Sequence, residues 1–278
     1  MMIEAIVAII AIVILCGFAL TIWRQADIRG DKKTWTTLAN SSLPYNEIFD
    51  QKMVADAPEP ARRYFTYMIA SGARLYQSVH LEMSGELGFG TKEKPTYRPF
   101  TATQILAPPN GFVWRVKAGA ISGSDGALTG QSWTRFWLFG VLPIVRVADD
   151  ADHLRSANGR LIAEAAFWAP ASLLPGKHII WEAAGPNTAR ANISFGGFQH
   201  SVEIELAANG EPRSVLIQRW SNVNDEKIYR LQPFGGVLTD FRDFNGYRLP
   251  TRIEGGNHFG TEKYFPFFKA NIKEIYVA

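Results

Sequence analysis

Residues that could do chemistry occur along the whole chain, but their spacing matches no familiar reaction centre. The histidines form neither H-x-H nor H-E-x-x-H, the spacings that place two imidazoles on one metal ion. They are His80, His153, His178, His200 and His258. Cys16 is the single cysteine, which excludes an intrachain disulfide and a cysteine-based metal site. We therefore predict neither a metal centre nor a cofactor.

Motifs for nucleophilic and phosphate chemistry are also absent from the sequence. It contains no G-x-S-x-G turn of the common serine hydrolases and no G-x-x-x-x-G-K-[ST] phosphate loop. The carboxylate-rich run 149–152 could serve a hydrolase or a calcium site, yet a solvated loop before a helix N-terminus explains it better. We predict that the protein is not an enzyme. The enzymatic alternative would require Arg160 to meet Glu164 or His178 inside a cavity.

Aromatic side chains form a more informative pattern. In SWTRFWLFG, residues 132–140, strand alternation places Trp133 and Trp137 on the same face as Arg135, and Phe136 on the other face. The run YFPFF at 264–268 adds four more rings. Two interpretations stay open: the rings fill a large curved sheet, or they line an apolar cavity that takes a lipid-like ligand.

Most of the chain predicts antiparallel strands, because apolar and polar residues alternate with a period of two. The predicted strands lie near 78–88, 99–107, 111–123, 128–139, 142–148, 178–183, 188–195, 199–207, 213–223, 237–244, 247–257 and 268–277. Pairs that tolerate positive φ predict tight turns at Asn110-Gly111, Asp125-Gly126, Asn209-Gly210 and Asn245-Gly246. Residues 88–98 are predicted to form a mobile loop. The fold class is therefore mainly antiparallel β, with about 10–12 strands.

Two helices are predicted among the strands. Prolines in the first turn and Gly72 at the end delimit a helix at 58–72. A second helix at 157–167 places Arg160 and Glu164 four residues apart, so that they can pair. Pro170 ends it, and the stretch AAFWAPASLLPGKHIIWE at 165–182 then leads back into the sheet.

The N-terminus predicts a membrane segment. Residues 3–23 are apolar apart from one glutamate, and a helix of this length spans roughly 30 Å, the thickness of a bilayer core. A cleaved signal peptide is the alternative, but no basic residue precedes the segment and no small-x-small cleavage site follows. We expect a linker with one short helix near 45–53 at residues 24–57, and the β domain at 58–278. The net charge of +3 gives no indication of nucleic-acid binding.

Five stretches, in order, resemble a widespread family of uncharacterised bacterial membrane-anchored proteins. The most specific is RLIAEAAFWAPASLLPG, which contains the family pattern W-x-P-x-x-L-L-P-G and is followed by Trp181. The others are PEPARRYF, FTATQILAPPNGFVWR, FRDFNGYRLPTRIE and YFPFFKANI. Together they span almost all of residues 58–278. That family is similar in fold to outer-membrane lipoprotein carriers and to mycobacterial lipid-binding lipoproteins.

This resemblance implies a strongly curved half-barrel whose open side is plugged by two or three helices, and it suggests a hydrophobic ligand. Candidates for the ligand cavity are Trp114, Trp133, Trp137, Trp168, Leu174 and Trp181, with Arg160 and Glu164 as polar candidates. We predict a binding protein tethered to the bilayer through residues 3–23. An accessory subunit of a larger membrane complex is the alternative, with Phe265 and Phe267 as exposed docking residues.

The sequence gives two opposed indications of which side of the bacterial inner membrane holds the β domain. Basic residues follow the single-pass segment and none precedes it, so the positive-inside rule favours the cytoplasm. The resemblance favours the extracytoplasmic side, because relatives with this fold act there. We expect the extracytoplasmic side.

Overall fold

The structure, a computed structural model, describes residues 1–41, 47–76, 78–195 and 197–277. Its strands are β1 Val79–Gly90, β2 Pro95–Ala107, β3 Gly111–Ala118, β4 Ile121–Leu128, β5 Gln131–Leu138, β6 Leu142–Ala148, β7 Ile179–Gly185, β8 Thr188–Phe195, β9 Phe198–Leu206, β10 Pro212–Ser221, β11 Arg230–Phe244, β12 Tyr247–Asn257 and β13 Phe265–Val277. All of these strands belong to one antiparallel sheet in the order β6-β5-β4-β3-β2-β1-β13-β12-β11-β10-β9-β8-β7. The pairing of β1 with β13 therefore joins two meanders into one open, curved sheet. The predicted fold class is confirmed.

Three α-helices accompany the sheet in the described residues: α1 Met2–Ser41, α2 Glu59–Met68 and α3 Ala151–Trp168. α3 connects the two edge strands, β6 and β7, and packs against strands of both meanders, with most contact to β10 and β9. The helix thus crosses the concave side of the sheet. α2 lies on the same side, where the Tyr64 hydroxyl donates to the carbonyl of Ala166 in α3 at 2.8 Å. The main core lies between these helices and the concave face.

α1 is much longer than the apolar segment that predicted it. Residues 24–41 continue the helix, where we expected a linker from residue 24 to residue 57. The reason is a stripe with a period of three to four residues that packs on the convex face of the sheet. Asp27 and Leu38 are buried in this stripe, and Trp35 packs beside Leu38 in a small second core. Tertiary packing therefore stabilises a polar segment as helix.

The helices predicted at 58–72 and near 45–53 are both shorter in the structure than expected. α2 ends at Met68 rather than Gly72, because Ile69 becomes extended and forms a bridge to Tyr247 of β12. Of the short helix expected near 45–53, only the last part is helical, as a 3-10 turn at Gln51–Val54, and Ile48 instead forms a bridge to Arg74. The first two residues of that expectation lie outside the described ranges.

The Asp125-Gly126 turn prediction was wrong, because both residues lie in the middle of β4. The Asp125 carboxylate is held on the concave side by Thr134 and Arg160. Gly126 leaves room on the other side for the Trp133 ring, which lies 2.4 Å from where a Cβ would stand. One predicted strand boundary is therefore misplaced, and the chain forms 13 strands in one sheet rather than 10–12. The other three predicted pairs are at turns: Asn209-Gly210 and Asn245-Gly246 lie between strands, and Asn110-Gly111 ends the turn that leads into β3.

The prediction of a mobile loop at 88–98 was also wrong over most of its length. β1 continues to Gly90 and β2 begins at Pro95, so only four residues connect them. Tyr97 secures this long hairpin, since its hydroxyl donates to the Pro266 carbonyl of β13 at 2.9 Å. Both strands thereby extend the concave surface beyond the predicted sheet.

Candidate functional site

A cavity of about 340 Å³ lies between α3 and the concave face of the sheet. Most of its wall is apolar, contributed by Leu87, Phe89, Trp114, Phe136, Ala163, Phe167, Trp168, Val215, Phe234, Leu238, Ile253, Phe267 and Phe268. Its polar side chains are Asp125, Thr134, Arg160, Glu164 and Arg219. These five come only from α3, β4, β5 and β10, so the cavity has a polar part and a wholly apolar part. Small-molecule sites commonly combine a largely apolar wall with a few placed polar groups.

Glycines on β11 and β12 shape the apolar part of the cavity. A Cβ on Gly235 would lie 2.1 Å from the Val215 carbonyl oxygen, and one on Gly236 would lie 2.2 Å from the Glu254 carbonyl oxygen. Neighbouring backbone therefore approaches these positions too closely for any side chain. Because these positions carry no side chain, the wall does not project into the cavity here, and a ligand can occupy that volume.

Arg160 organises the polar part of the cavity. Its guanidinium lies 2.6 Å from Asp125 of β4 and 2.6 Å from Glu164, one helical turn away on α3. Gln104 of β2 donates to the other Glu164 oxygen at 2.5 Å. Burial by itself lowers the pKa of Arg160, but the two adjacent carboxylates outweigh burial and raise this pKa. The arginine is thus a permanent charge whose two carboxylate partners are fully engaged.

A second polar chain extends from Asp125 away from the cavity. The Thr134 hydroxyl donates to Asp125 at 2.8 Å, so it accepts from Nε2 of His153 at 2.9 Å. Nδ1 of His153 then accepts from the Ser132 hydroxyl at 2.7 Å. Burial lowers the pKa of His153, which favours the neutral ring that this pattern requires.

This chain of groups resembles a serine–histidine–carboxylate relay in composition but not in placement. Ser132 is 3% exposed and does not line the cavity, so a substrate there has no path to its hydroxyl. The network instead connects α3 to β4 and β5 and satisfies buried polar groups. It therefore supports the cavity rather than supplying a nucleophile to it.

Arg219 is the cavity cation without a carboxylate partner among the described residues. Its Nε donates to the Ser156 carbonyl at 3.2 Å, and its guanidinium lies 4.7 Å from the centre of the Phe234 ring. Burial, with a smaller contribution from the nearby charge of Arg160, lowers the pKa of Arg219 to about 10. The side chain still carries its charge at neutral pH.

The structure brings some of the predicted site residues together at the cavity. Trp114 and Trp168 line it, as do the two polar candidates Arg160 and Glu164. Trp181 and Leu174 do not line it. Trp181 instead packs under α2, with its ring centre 5.1 Å from that of Phe65, and donates to the Leu173 carbonyl. Leu174 packs against the edge of the same core.

Trp133 and Trp137 lie on the opposite side of the sheet from the cavity. The predicted alternation along β5 is present, but Thr134 and Phe136 face the cavity and the two tryptophans face α1. Trp137 donates to the Asp27 carboxylate of α1 at 3.0 Å, and Trp133 packs near Leu38. The expectation for this pair failed because a second, convex core covers the outer face there.

Several residues that line the cavity were not predicted from the sequence. Arg219 carried a usable signal, because it has the same strand phase as the apolar Val215 and Ile217 of β10. A charge at an apolar phase of a strand predicts a buried, functional or paired group. The glycines of β11 and β12 carried no comparable signal, because their role depends on the approach of neighbouring strands.

Comparison with solved structures finds distantly similar proteins. A LolA superfamily protein from Nitrosomonas europaea is 10% identical, with a TM-score of 0.43, over 80% of this chain and 93% of that one. A domain named for outer-membrane lipoprotein sorting, from Vibrio parahaemolyticus, is 9% identical, with a TM-score of 0.39, over 82% and 91%. A DUF1329 family protein from Desulfovibrio piger is 9% identical, with a TM-score of 0.36, over 73% and 86%.

None of the curated proteins matches the chain. A family model does match, over residues 47–270. This range includes α2, α3, the strands from β1 to β12 and the first residues of β13. The matched part holds every residue that lines the cavity. On this match, the chain belongs to the Family of unknown function (DUF6544).

Proposed function

We propose that this protein is a membrane-tethered binding protein that holds one lipid-like ligand in the cavity beneath α3. The observation that carries the proposal is the cavity itself, with a volume of about 340 Å³ and a mainly aromatic and aliphatic wall. This volume is at the lower end of the usual range for ligand pockets, roughly 300–1,000 Å³. A single acyl or isoprenoid chain fits such a space better than a whole multi-chain lipid.

Burial of an apolar chain supplies the affinity in this proposal. Each methylene moved out of water contributes roughly 0.8 kcal/mol. The part of the wall formed by β1, β11, β12 and β13 contains only apolar side chains and glycine. The chain would occupy this part, with its polar end toward Arg160 and Arg219.

The exposed apolar surface of α1 supports the tether. One helix near the N-terminus is long and apolar enough to cross a membrane, and its apolar stretch is not buried in the protein. Beside it, the turn between β5 and β6 exposes Phe139, Val141 and Leu142. Trp137 at the end of β5 contacts Trp23 of α1, with ring centres 5.8 Å apart. Two apolar features therefore meet where the helix leaves the sheet.

We further propose that the β domain lies on the extracytoplasmic side of the bacterial inner membrane. Support comes from the sequence resemblance to exported lipid carriers, against the basic residues that follow the apolar segment. An alkaline phosphatase fusion at the C-terminus tests the side, because that enzyme is active only outside the cytoplasm. Activity is the expected result, and an inactive fusion that accumulates in full would place the domain inside.

The accessory-subunit alternative loses the residues on which it depended. Phe265 and Phe267 were expected to be exposed docking residues, but both are half-buried. Phe267 lines the cavity, and Phe265 packs against Tyr97. The ligand-binding proposal uses these rings as wall and hairpin support instead.

Native mass spectrometry of the full chain, released from membranes in a mild detergent, tests the binding proposal. The expected spectrum contains a second charge series heavier by the mass of one lipid, which disappears after delipidation. Adding the identified lipid back should raise the thermal unfolding midpoint. A spectrum of protein alone, together with no thermal protection by fatty acids, isoprenoids or phospholipids, would contradict the proposal.

A further inference from the structure

The polar groups at the cavity wall are unequally satisfied. Both oxygens of Asp125 accept hydrogen bonds, from Thr134 and Arg160. Both oxygens of Glu164 do so as well, from Arg160 and Gln104. The acceptors of the wall are therefore engaged in the protein itself.

The hydrogen-bond donors of the cavity wall, in contrast, are not all matched by acceptors. The indole N–H groups of Trp114 and Trp168 are buried without an acceptor among the described residues. Within the described part of the chain, Arg219 donates through Nε to the Ser156 carbonyl and forms no ion pair. Arg219 is half-buried, and a partly desolvated cation without an ion-pair partner is unfavourable, while buried donors normally find acceptors.

We propose that the ligand is an acidic amphiphile whose anionic headgroup, a carboxylate or a phosphate, accepts hydrogen bonds from Arg219. An anion supplies the acceptor that the wall lacks, and it gives Arg219 a direct ion-pair partner. A cationic or donor-only headgroup would add to the excess of donors. The planar guanidinium of arginine suits carboxylate and phosphate oxygens in particular.

Position supports this assignment as well as charge. Arg219 stands on β10, next to β11, the strand with which the wholly apolar part of the wall begins. Phe234 lies under its guanidinium and restricts the directions that the group can take. A chain that enters the apolar part can thus place its head against Arg219 without breaking the pairs of Arg160. This inference rests on the proposed function, because it assigns the headgroup of the same ligand.

The test compares ligands that share one chain and differ in the head. The full chain is placed in nanodiscs of phosphatidylcholine, and binding of dodecanoic acid, dodecyl phosphate and 1-dodecanol is measured above the background of empty nanodiscs. At least one of the two acids should bind roughly tenfold to hundredfold more tightly than the alcohol, as a charge-assisted hydrogen bond implies. The acid that binds more tightly identifies the headgroup.

Variants assign the selectivity to one side chain. Arg219→Gln should remove most of the preference for the acid over 1-dodecanol. An unaltered thermal unfolding midpoint of the ligand-free variant shows that it is folded. Arg219→Lys should retain part of the preference. The matched control is Arg213→Gln, on the same strand but exposed and paired with Glu211 at the surface. This control should bind like the unaltered protein.

The outcomes separate this inference from the proposed function. Equal affinity for acids and alcohol, or an unchanged preference in Arg219→Gln, overturns the headgroup assignment and leaves lipid binding in place. Absence of binding by all three ligands overturns both. If Arg219→Gln no longer binds the alcohol, the Arg219→Lys variant decides. Equal affinity of this variant for the acids and the alcohol counts against the assignment, and a retained preference for the acid supports it.

Discussion

Arg160 joins three elements at one point, because it bonds to Glu164 on its own helix, to Asp125 of β4 and to Gln104 of β2. Such a buried group stabilises the fold mainly by keeping its partners paired. We predict that Arg160→Met lowers the free energy of unfolding by about 3 kcal/mol, the lower end for a buried pair, since two largely but not fully buried carboxylates lose their cation. Denaturant titration in detergent, followed by tryptophan fluorescence, measures this change.

A surface arginine with two carboxylate neighbours provides the matched control for Arg160. Arg190 lies near Glu203 and Glu182 on exposed faces of β7 to β9. Arg190→Met should cost less than about 1 kcal/mol, because solvent screens such pairs. Similar costs for the two variants would show that the Arg160 cluster is not a buried network.

His200 predicts how stability depends on pH. Burial, with a smaller contribution from Arg155, lowers the pKa of His200 to about 4, and its Nε2 has no partner among the described residues. The unfolded chain binds a proton near the ordinary pKa of about 6.5. The stability that neutral His200 allows is therefore complete above pH 6.5 and is lost as the pH falls toward 4.

His200→Gln should flatten this dependence, so that the variant loses less stability than the unaltered protein between pH 6.5 and pH 4. We expect a difference on the order of 2 kcal/mol, measured by denaturant titration at each pH. The exposed His178, replaced in the same way, should leave the pH profile unchanged. Parallel profiles for the unaltered chain and His200→Gln would refute the assignment.

Sequence spacing predicted polar contacts only where they are local. Arg160 and Glu164 are four residues apart in a helix, so their pairing follows from helical geometry. The contact of Arg160 with Asp125 spans 35 residues and depends on α3 crossing the sheet. Asp125 itself was taken for a turn residue, because its partners were invisible in the local pattern.

At the scale of elements, α1 is both the apolar segment and a part of the folded domain. Asp27 accepts two hydrogen bonds from Arg146 of β6 and one from Trp137 of β5, which fixes the helix on the convex face. The guanidinium of Arg146 also lies 4.2 Å from the ring centre of Trp23. The last turns of the apolar segment are therefore held beside the β5–β6 turn.

This arrangement predicts that the β5–β6 turn enters the membrane interface next to α1. Phe139 is 78% exposed, and Val141 and Leu142 are also exposed. In the full chain with Cys16→Ala, a nitrobenzoxadiazole label at Val141→Cys should show blue-shifted emission that nitroxide-bearing lipids quench. The same label at Asn209→Cys, in the turn between β9 and β10, provides the aqueous control. Identical spectra at both sites would exclude membrane contact by the turn.

Local patterns identified the strands well because half-buried strands alternate with a period of two. They failed at the convex face, where Trp133 and Trp137 pack against a helix that looked like a linker. Alternation shows which residues share a face, but it does not show which face is concave. That information requires knowledge of what covers each side.

At the scale of the whole molecule, one helix closes a sheet made of two meanders. α3 connects the edge strands and crosses the concave side, so the cavity exists only because the sheet curves around it. Ala163 of α3 lines the cavity and is itself buried. A larger side chain at this position would occupy the space that we assign to the ligand.

Photocrosslinking by a diazirine-bearing fatty acid, with peptides mapped by mass spectrometry, tests the central claim most directly. In the full chain we predict crosslinks on cavity residues of α3 and β11 to β13, competed by unlabelled fatty acid. Ala163→Phe should lose these crosslinks, while Thr103→Phe, which introduces the same side chain at an exposed position of β2, should retain them. Crosslinks confined to residues 3–23 or to the convex face, unchanged by Ala163→Phe, would contradict ligand binding in the cavity.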